Sequence, residues 1–474
     1  MSFNSLEFLI FLPIVLLVYF RLRHKAQNRF LLAASCFFYG SWDWRFLFPL
    51  LISTSIDYYC ARRMETQILA GEPLQNRKPW LVLSVVTNLL LLGFFKYFDF
   101  FSTNLHTLLT SLGVQVSPFT LQVILPIGIS FYTFQALSYT IDVYRGQIHA
   151  TDSFFDFLLC VLYFPHLVAG PIQRAHSLLP QVTQPRTVTA AKVTAGLHLI
   201  FWGFFKKVFI ADNLAPIANQ FFNQPYADGG QTLLAVYAFA IQIYCDFSGY
   251  TDVARGLANL MGFEFMLNFN LPYFATNPQQ FWNRWHISLS SWLRDYLYVP
   301  LGGNRSGGIY RNLMLTMVIG GFWHGAAWNF LLWGFFHGSI LILHRLAQPT
   351  LDNVFAWPGP VGRVLSSTLL IFLFFHLTCY GWLLFRATSF AQIASMTTAL
   401  LVGPWAVDAT VATQIFLYSS PLILVQLIQY STARLDFLSF AWIPHELRVV
   451  AYAAMTYFVV FRGGVPQSFI YFQF

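Results

Sequence analysis

Residues Val364 to Phe385 read VLSSTLLIFLFFHLTCYGWLLF, a stretch without a single Asp, Glu, Lys or Arg. A helix that crosses a bilayer needs about 20 mainly apolar residues, and this run supplies them. Further apolar segments recur near Trp80 to Phe95, Leu121 to Ile141, Phe154 to Val168, Leu197 to Ile210, Leu233 to Tyr244, Asn312 to Trp323, Asn329 to Leu343, Ile415 to Leu427 and Val449 to Phe461. Several are shorter than a bilayer is thick, which predicts tilted, broken or re-entrant helices. Backbone groups in hydrocarbon must bond internally, and these segments lack the ten-residue alternation of an outer-membrane barrel, so the spans are expected to be helical. The expected fold is an all-α polytopic integral membrane protein of about ten to twelve transmembrane helices with re-entrant segments, residues 1–474 forming a single membrane domain.

Composition supports this reading. Hydrophobic residues make up 57% of the chain and charged residues 10%, far below the roughly one-quarter charged share of soluble domains. The net charge of +8 is spread over 27 Lys and Arg with short clusters where apolar segments end. That pattern fits membrane orientation better than nucleic-acid binding. Arg21, Arg23, Lys25 and Arg29, and then Arg62, Arg63, Arg77 and Lys78, are expected to face the cytoplasm. The first span, Phe3 to Phe20, would then start outside, and Phe30 to Ala61 either crosses twice as a hairpin or dips in and returns. No small-residue cleavage site follows the first span, which reads as a retained anchor. Cys36, Cys60, Cys160, Cys245 and Cys379 sit in apolar stretches without metal-ligand spacing and read as small buried hydrophobes.

The stretch Asn268 to Arg311 breaks the apolar pattern. It gathers Trp282, Asn283, Arg284, Trp285, His286, Trp292, Arg294, Asp295 and Gly302 to Arg305 between two apolar regions. So polar a segment requires a protein interior or a hydrated cavity, and it marks the place to seek a site.

The sharpest local signal follows it: Gly320-Gly321-Phe322-Trp323-His324-Gly325, then Trp328 and Asn329. On a helix, Gly320 and Gly321 share a face with His324 and leave space beside its imidazole. An apolar setting favours the neutral imidazole, the form a general base requires. The bland alternative is a histidine that hydrogen-bonds between helices, because small residues also promote helix packing.

His286 follows Trp282 and Asn283 at helical spacings of four and three, so these neighbours are expected to orient it. A proton-transfer or donor-pocket role and a tether in a polar network fit it equally. Asp295 is expected to neutralise an arginine among Arg284 and Arg294, leaving a cation for a phosphate. Asp246, Ser248 and Asp252 form a polar island that suits either function or helix-helix hydrogen bonding. Pro165, His166, Gly170, Pro171 and Arg174 read as a helix break at an interface. Zinc-peptidase, serine-hydrolase and P-loop motifs are absent from the sequence, and no metal site is expected.

At these residues the sequence resembles the membrane-bound O-acyltransferase family, in its bacterial alginate and exopolysaccharide O-acetylation branch. The resemblance runs through Phe95 to Tyr97, Leu125 to Phe134, Asp142 to Gly146, Phe164 to Pro171, Lys206 to Asp212, Tyr244 to Asp252, Phe281 to Arg305, Gly320 to Asn329 and Phe469 to Phe474. It implies helices around a central tunnel that joins a cytoplasmic donor side to an external acceptor side, in the bacterial inner membrane. His324 matches the family's catalytic histidine, and His286 matches the second signature histidine. The implied donor substrate is acetyl-CoA, with no bound cofactor, and the acetyl group would pass to alginate, cellulose or a related polysaccharide through a periplasmic acetyltransferase partner.

Residue chemistry and resemblance meet in one expected mechanism, with His324 as base toward an attacking hydroxyl. Asn283, Arg284, Asp295, Trp323, Trp328 and Asn329 are the expected substrate-binding or supporting residues. Either Asn329 or a backbone amide freed at a helix break would serve the developing oxyanion. A transporter or channel would use the same intramembrane polar groups and broken helices, and an assembly scaffold would use them as glue. Loss of polysaccharide acetylation in a normally inserted His324→Ala protein separates the enzyme from both.

Overall fold

The computed structural model describes residues 1–472 apart from 118, 122, 168–169, 225–227, 306 and 437–442. Of the positions singled out in the sequence, Gln122, Val168, Ala169, Ser306, Gln473 and Phe474 therefore lie outside the described residues. Among the described residues the chain is helical, with no strand. Six helical stretches among the described residues are long and apolar enough to cross a membrane: Leu74–Ser111, Ala190–Phe222, Gly229–Leu260, Trp328–Val354, Gly359–Arg386 and Ala409–Thr432. The expected first span, Phe3 to Phe20, forms the apolar but short helix Leu6–Tyr19, and Phe390–Val402, not among the expected segments, is a second short apolar helix. Leu47–Leu69 is long enough but carries Asp57, Arg62, Arg63 and Glu65. The uncharged run Val364 to Phe385 lies within the helix Gly359–Arg386.

The chain divides into two compact units. The first comprises Met1–Ile200 with Val253–Met266. Its first helix, Leu6–Tyr19, is started by the Ser5 hydroxyl, which accepts from the Phe8 N–H at 3.3 Å. The segment Phe30 to Ala61 becomes two helices, His24–Gly40 and Leu47–Leu69, joined through a short turn at Trp44–Phe46. The helix Leu47–Leu69 packs against Leu74–Leu92 and Ile129–Tyr144. Asp57 is buried at the first of these contacts, where its carboxylate accepts from the Ser84 hydroxyl and from the Asn88 amide at 2.9 Å. Neutral donors on a neighbouring helix make this acid an interhelical tie. A Cβ on Gly256 would stand 2.5 Å from the Gly196 carbonyl oxygen, so glycine lets two backbones meet there.

The second unit comprises Phe201–Asp252 with Leu267–Phe474. Its helices Ile309–His324 and Trp328–Val354 form a hairpin whose turn is only Gly325 to Ala327. Gly321 and Gly334 pack at this crossing, where a Cβ on Gly334 would lie 2.4 Å from the Met317 carbonyl oxygen. Small residues at a crossing permit close backbone approach, and close approach fixes the end of the first helix. His324 is that end. Four of the five cysteines are buried and Cys36 is half-buried, all as free thiols.

Candidate active site

Local sequence explains how the polar stretch is held. The Asn277 side chain accepts from the Gln280 N–H and starts the short helix Pro278–Trp282. That helix ends at once, and His286 adopts the left-handed conformation, φ 44°, before Ile287–Leu293 begins. A left-handed non-glycine residue needs surrounding bonds to hold it. The strand-like partner is Asn268 to Asn270: the Ile287 N–H donates to the Asn268 carbonyl, and the Asn270 N–H donates to the Arg284 carbonyl, each at 2.9 Å. The Asn268 side chain accepts from the Ser288 hydroxyl at 2.9 Å and its N–H at 3.2 Å.

This break corrects one expectation. Trp282 and Asn283 do not sit below His286 on a helix face, because no continuous helix joins them. They line a cavity instead, and His286 is buried behind it among the rings of Phe247, Trp323 and Tyr471, at centroid distances of 4.6, 6.0 and 6.2 Å.

The cavity measures about 400 Å³ and is bounded by Trp282, Asn283, Leu293, Gly320, His324 and Trp333 among others. Its lining is mainly apolar, with Gln279, Asn283, Ser290, Ser291, Arg294, Tyr298, Thr316 and His324 as the polar residues. A second cavity of about 760 Å³ shares Gln279, Arg294, Tyr298, Leu313 and Leu341 with the first and adds Asn304, His344, Arg345, Gln348 and Asp352. The imidazole that the sequence singles out thus borders an apolar chamber whose wall is shared with a polar one carrying arginines.

His324 is itself 4% exposed and framed by rings: Trp323 at 5.0 Å, Trp333 at 5.1 Å, Phe385 at 5.4 Å and Tyr471 at 5.5 Å. The space expected beside it is divided. Gly320 faces the cavity with Leu293 opposite, whereas Gly321 is consumed by packing on the Phe330 carbonyl and Gly334.

The remaining expected residues disperse. Trp323 is buried between the two histidine rings. Trp328 is 52% exposed at the start of its helix and lies apart from the cavity lining. Asn329 donates its amide to the Phe385 carbonyl at 3.1 Å, which ties two helices together. Arg284 reaches the Leu271 carbonyl at 3.4 Å. Asp295 pairs with Arg294 at 2.8 Å, and Arg294 rather than Arg284 or Asp295 borders both cavities. Sequence reasoning missed Trp333, Arg345 and Tyr471; no local spacing links any of them to His324.

The middle of the chain, residues 81–380, matches the model of the membrane-bound O-acyltransferase family. The chain belongs to that family. It is a multi-pass membrane protein and an O-acyltransferase. It is 43% identical over 410 residues to "Probable alginate O-acetylase AlgI" of Azotobacter vinelandii, covering 85% of this chain and 79% of that protein. The Pseudomonas aeruginosa protein of the same name is 42% identical over 414 residues, with 85% and 76% covered. "Peptidoglycan O-acetyltransferase" of Helicobacter pylori is 36% identical over 429 residues, with 81% and 77% covered. By name, all three relatives transfer an acetyl group, the first two on alginate and the third on peptidoglycan.

Proposed function

We propose that this O-acyltransferase moves an acetyl group from cytoplasmic acetyl-CoA, across the inner membrane, toward a hydroxyl of a secreted polysaccharide such as alginate or cellulose. The observation that carries the reading is that His324 borders an apolar chamber whose wall, at Gln279, Arg294, Tyr298, Leu313 and Leu341, also bounds a polar cavity containing Arg345. A long thioester with a phosphorylated head suits that pair of spaces. Its thin arm and acetyl end would occupy the apolar chamber, and its phosphates would meet guanidinium groups, which bind phosphate in a fork.

In this mechanism the acceptor hydroxyl attacks the thioester carbonyl while His324 takes the hydroxyl proton. The new C–O bond forms, the C–S bond breaks, and the imidazolium returns its proton to the departing thiolate. General base catalysis of this kind contributes about 10² to 10⁴ in rate. Closing the reactants in a dry chamber adds orientation. His286, set behind Trp323 and Tyr471, acts by holding this aromatic wall. The names of the relatives favour acetyl as the group carried. Delivery through a periplasmic acetyltransferase partner follows from the family resemblance.

The experiment is acetate analysis of the exopolysaccharide from a strain carrying only His324→Ala. Loss of acetylation with normal membrane insertion supports the enzyme, whereas unchanged acetylation ends the assignment of His324.

A further inference from the structure

Beside the site runs a strap, Arg462 to Tyr471, whose anchoring is unusually polar for a membrane protein. The helix Ala190–Phe204 continues into a wide turn, Phe205–Ala211, which places Lys206 and Lys207 side by side in the interior. Lys206 donates to the Ser248 hydroxyl at 2.9 Å and pairs with Asp252 at 2.7 Å. Lys207 pairs with Asp246 at 2.6 Å and with Asp212 at 2.8 Å. Lys207, Asp212 and Asp246 are each at most 3% exposed. Burying ions costs several kcal/mol apiece before pairing, and an apolar replacement is often no less stable. Stability alone is therefore a poor reason for this cluster.

Its free valences go to the strap. Lys207 donates to the Gln467 carbonyl at 2.9 Å, and the second Asp246 oxygen accepts from the Ile470 N–H at 2.7 Å. The Asn213 amide donates to the Arg462 carbonyl at 2.8 Å, and the Gly464 N–H donates to the Val208 carbonyl at 3.0 Å. Gly464 is pressed so closely onto this turn that a Cβ would lie 2.4 Å from the Asp212 carbonyl carbon. At the end of the strap the chain presents three rings or apolar groups in succession. Phe469 packs on Tyr250 at 4.9 Å, Ile470 is buried, and Tyr471 packs on Phe247 at 4.6 Å and on His324 at 5.5 Å. The residue bonded to the ion cluster is thus the immediate neighbour of the residue that touches the imidazole.

We propose that the buried Lys207–Asp246 pair is a positioning element of the active site: it fixes the strap Arg462 to Tyr471 so that the Tyr471 ring holds His324 in its working orientation. Slack of one residue at Ile470 would move Tyr471 by up to a Cα spacing, about 3.8 Å, and a catalytic group displaced by about 1 Å already loses on the order of 100-fold. The proposal rests on His324 being the base.

The test is a double-mutant cycle in the full chain, read as polysaccharide acetylation per amount of folded protein. Ile470→Pro removes the backbone N–H that donates to Asp246 and leaves every charge in place. Asp246→Asn, which keeps the shape and removes the charge, is the second arm. Tyr471→Ala removes the ring. Each single change is expected to lower acetylation at least tenfold while the thermal midpoint of the purified protein shifts by a few degrees. Ile470→Pro combined with Tyr471→Ala is expected to be no worse than Tyr471→Ala alone, and Lys207→Arg to keep more activity than Lys207→Met. Losses that multiply in the double variant, or that only track protein abundance, would overturn the positioning role, as would activity within twofold of the parent in both strap arms. Unchanged acetylation in His324→Ala would instead remove the underlying mechanism, so the two failures are distinguishable.

Discussion

Gly321 and Gly334 meet backbone to backbone: a Cβ on Gly321 would lie 3.0 Å from the Gly334 Cα and 2.3 Å from the Phe330 carbonyl oxygen. The contact lies three residues before His324, so it sets where the imidazole emerges. Gly334→Ala forces a methyl against the Met317 carbonyl at 2.4 Å, where backbone cannot yield cheaply. Overpacking of this kind costs about 1–3 kcal/mol. The expected result is a thermal midpoint lowered by several degrees together with reduced acetylation, checked by unfolding of the purified protein and acetate release.

Gly320 provides the contrast on the same helix. Its added Cβ would meet only the end of the Leu293 side chain, at 2.9 Å, which can turn aside. Gly320→Ala should therefore fold normally and keep activity within about threefold. Gly320→Leu fills the cavity beside His324 and should lower acetylation at least tenfold with abundance unchanged. Normal acetylation in Gly320→Leu would mean that the substrate does not use this chamber.

These two glycines mark how far the sequence could be read. Helical spacing correctly brought both onto the His324 side, but periodicity cannot say which glycine faces a cavity and which faces another helix. The same period misled at Trp282, Asn283 and His286, because the left-handed residue His286 interrupts the helix that the spacing assumes. A single positive φ is a product of the Asn268 to Asn270 pairing, which only the folded chain brings into place. The polar island Asp246, Ser248 and Asp252 was visible as an anomaly, yet its cations, Lys207 and Lys206, lie on another helix. Trp328 lies apart from the cavity lining for a simpler reason: adjacency to His324 in sequence ends at the hairpin turn.

Arg345 borders the polar cavity and donates to Asn304 at 3.2 Å. If its guanidinium meets donor phosphates, Arg345→Gln should raise the KM for acetyl-CoA about tenfold, as expected for a charge-assisted hydrogen bond of about 1.5–3 kcal/mol. The chemical step at His324 should be spared, so kcat stays within about twofold. Initial rates at graded acetyl-CoA, repeated at two salt concentrations, separate these outcomes. A fall in kcat at constant KM would move the phosphate site elsewhere.

Membrane orientation follows from where the basic residues fall on the helices. Arg21 and Arg23 lie in the junction between Leu6–Tyr19 and His24–Gly40, with Lys25 and Arg29 just beyond it. Arg62 and Arg63 lie in the second half of Leu47–Leu69, and Arg77 and Lys78 open Leu74–Leu92. The two helices His24–Gly40 and Leu47–Leu69 form a hairpin that returns the chain, so parity puts both basic clusters on one side. Positive residues favour the cytoplasm. A reporter inserted between Arg21 and Arg23, or between Ala70 and Pro73, should therefore signal the cytoplasm, and one between Ser41 and Asp43 should signal the exterior. A cytoplasmic signal at all three would mean that the hairpin dips into the membrane without crossing it. An external signal at the first two would reverse the orientation expected for this hairpin.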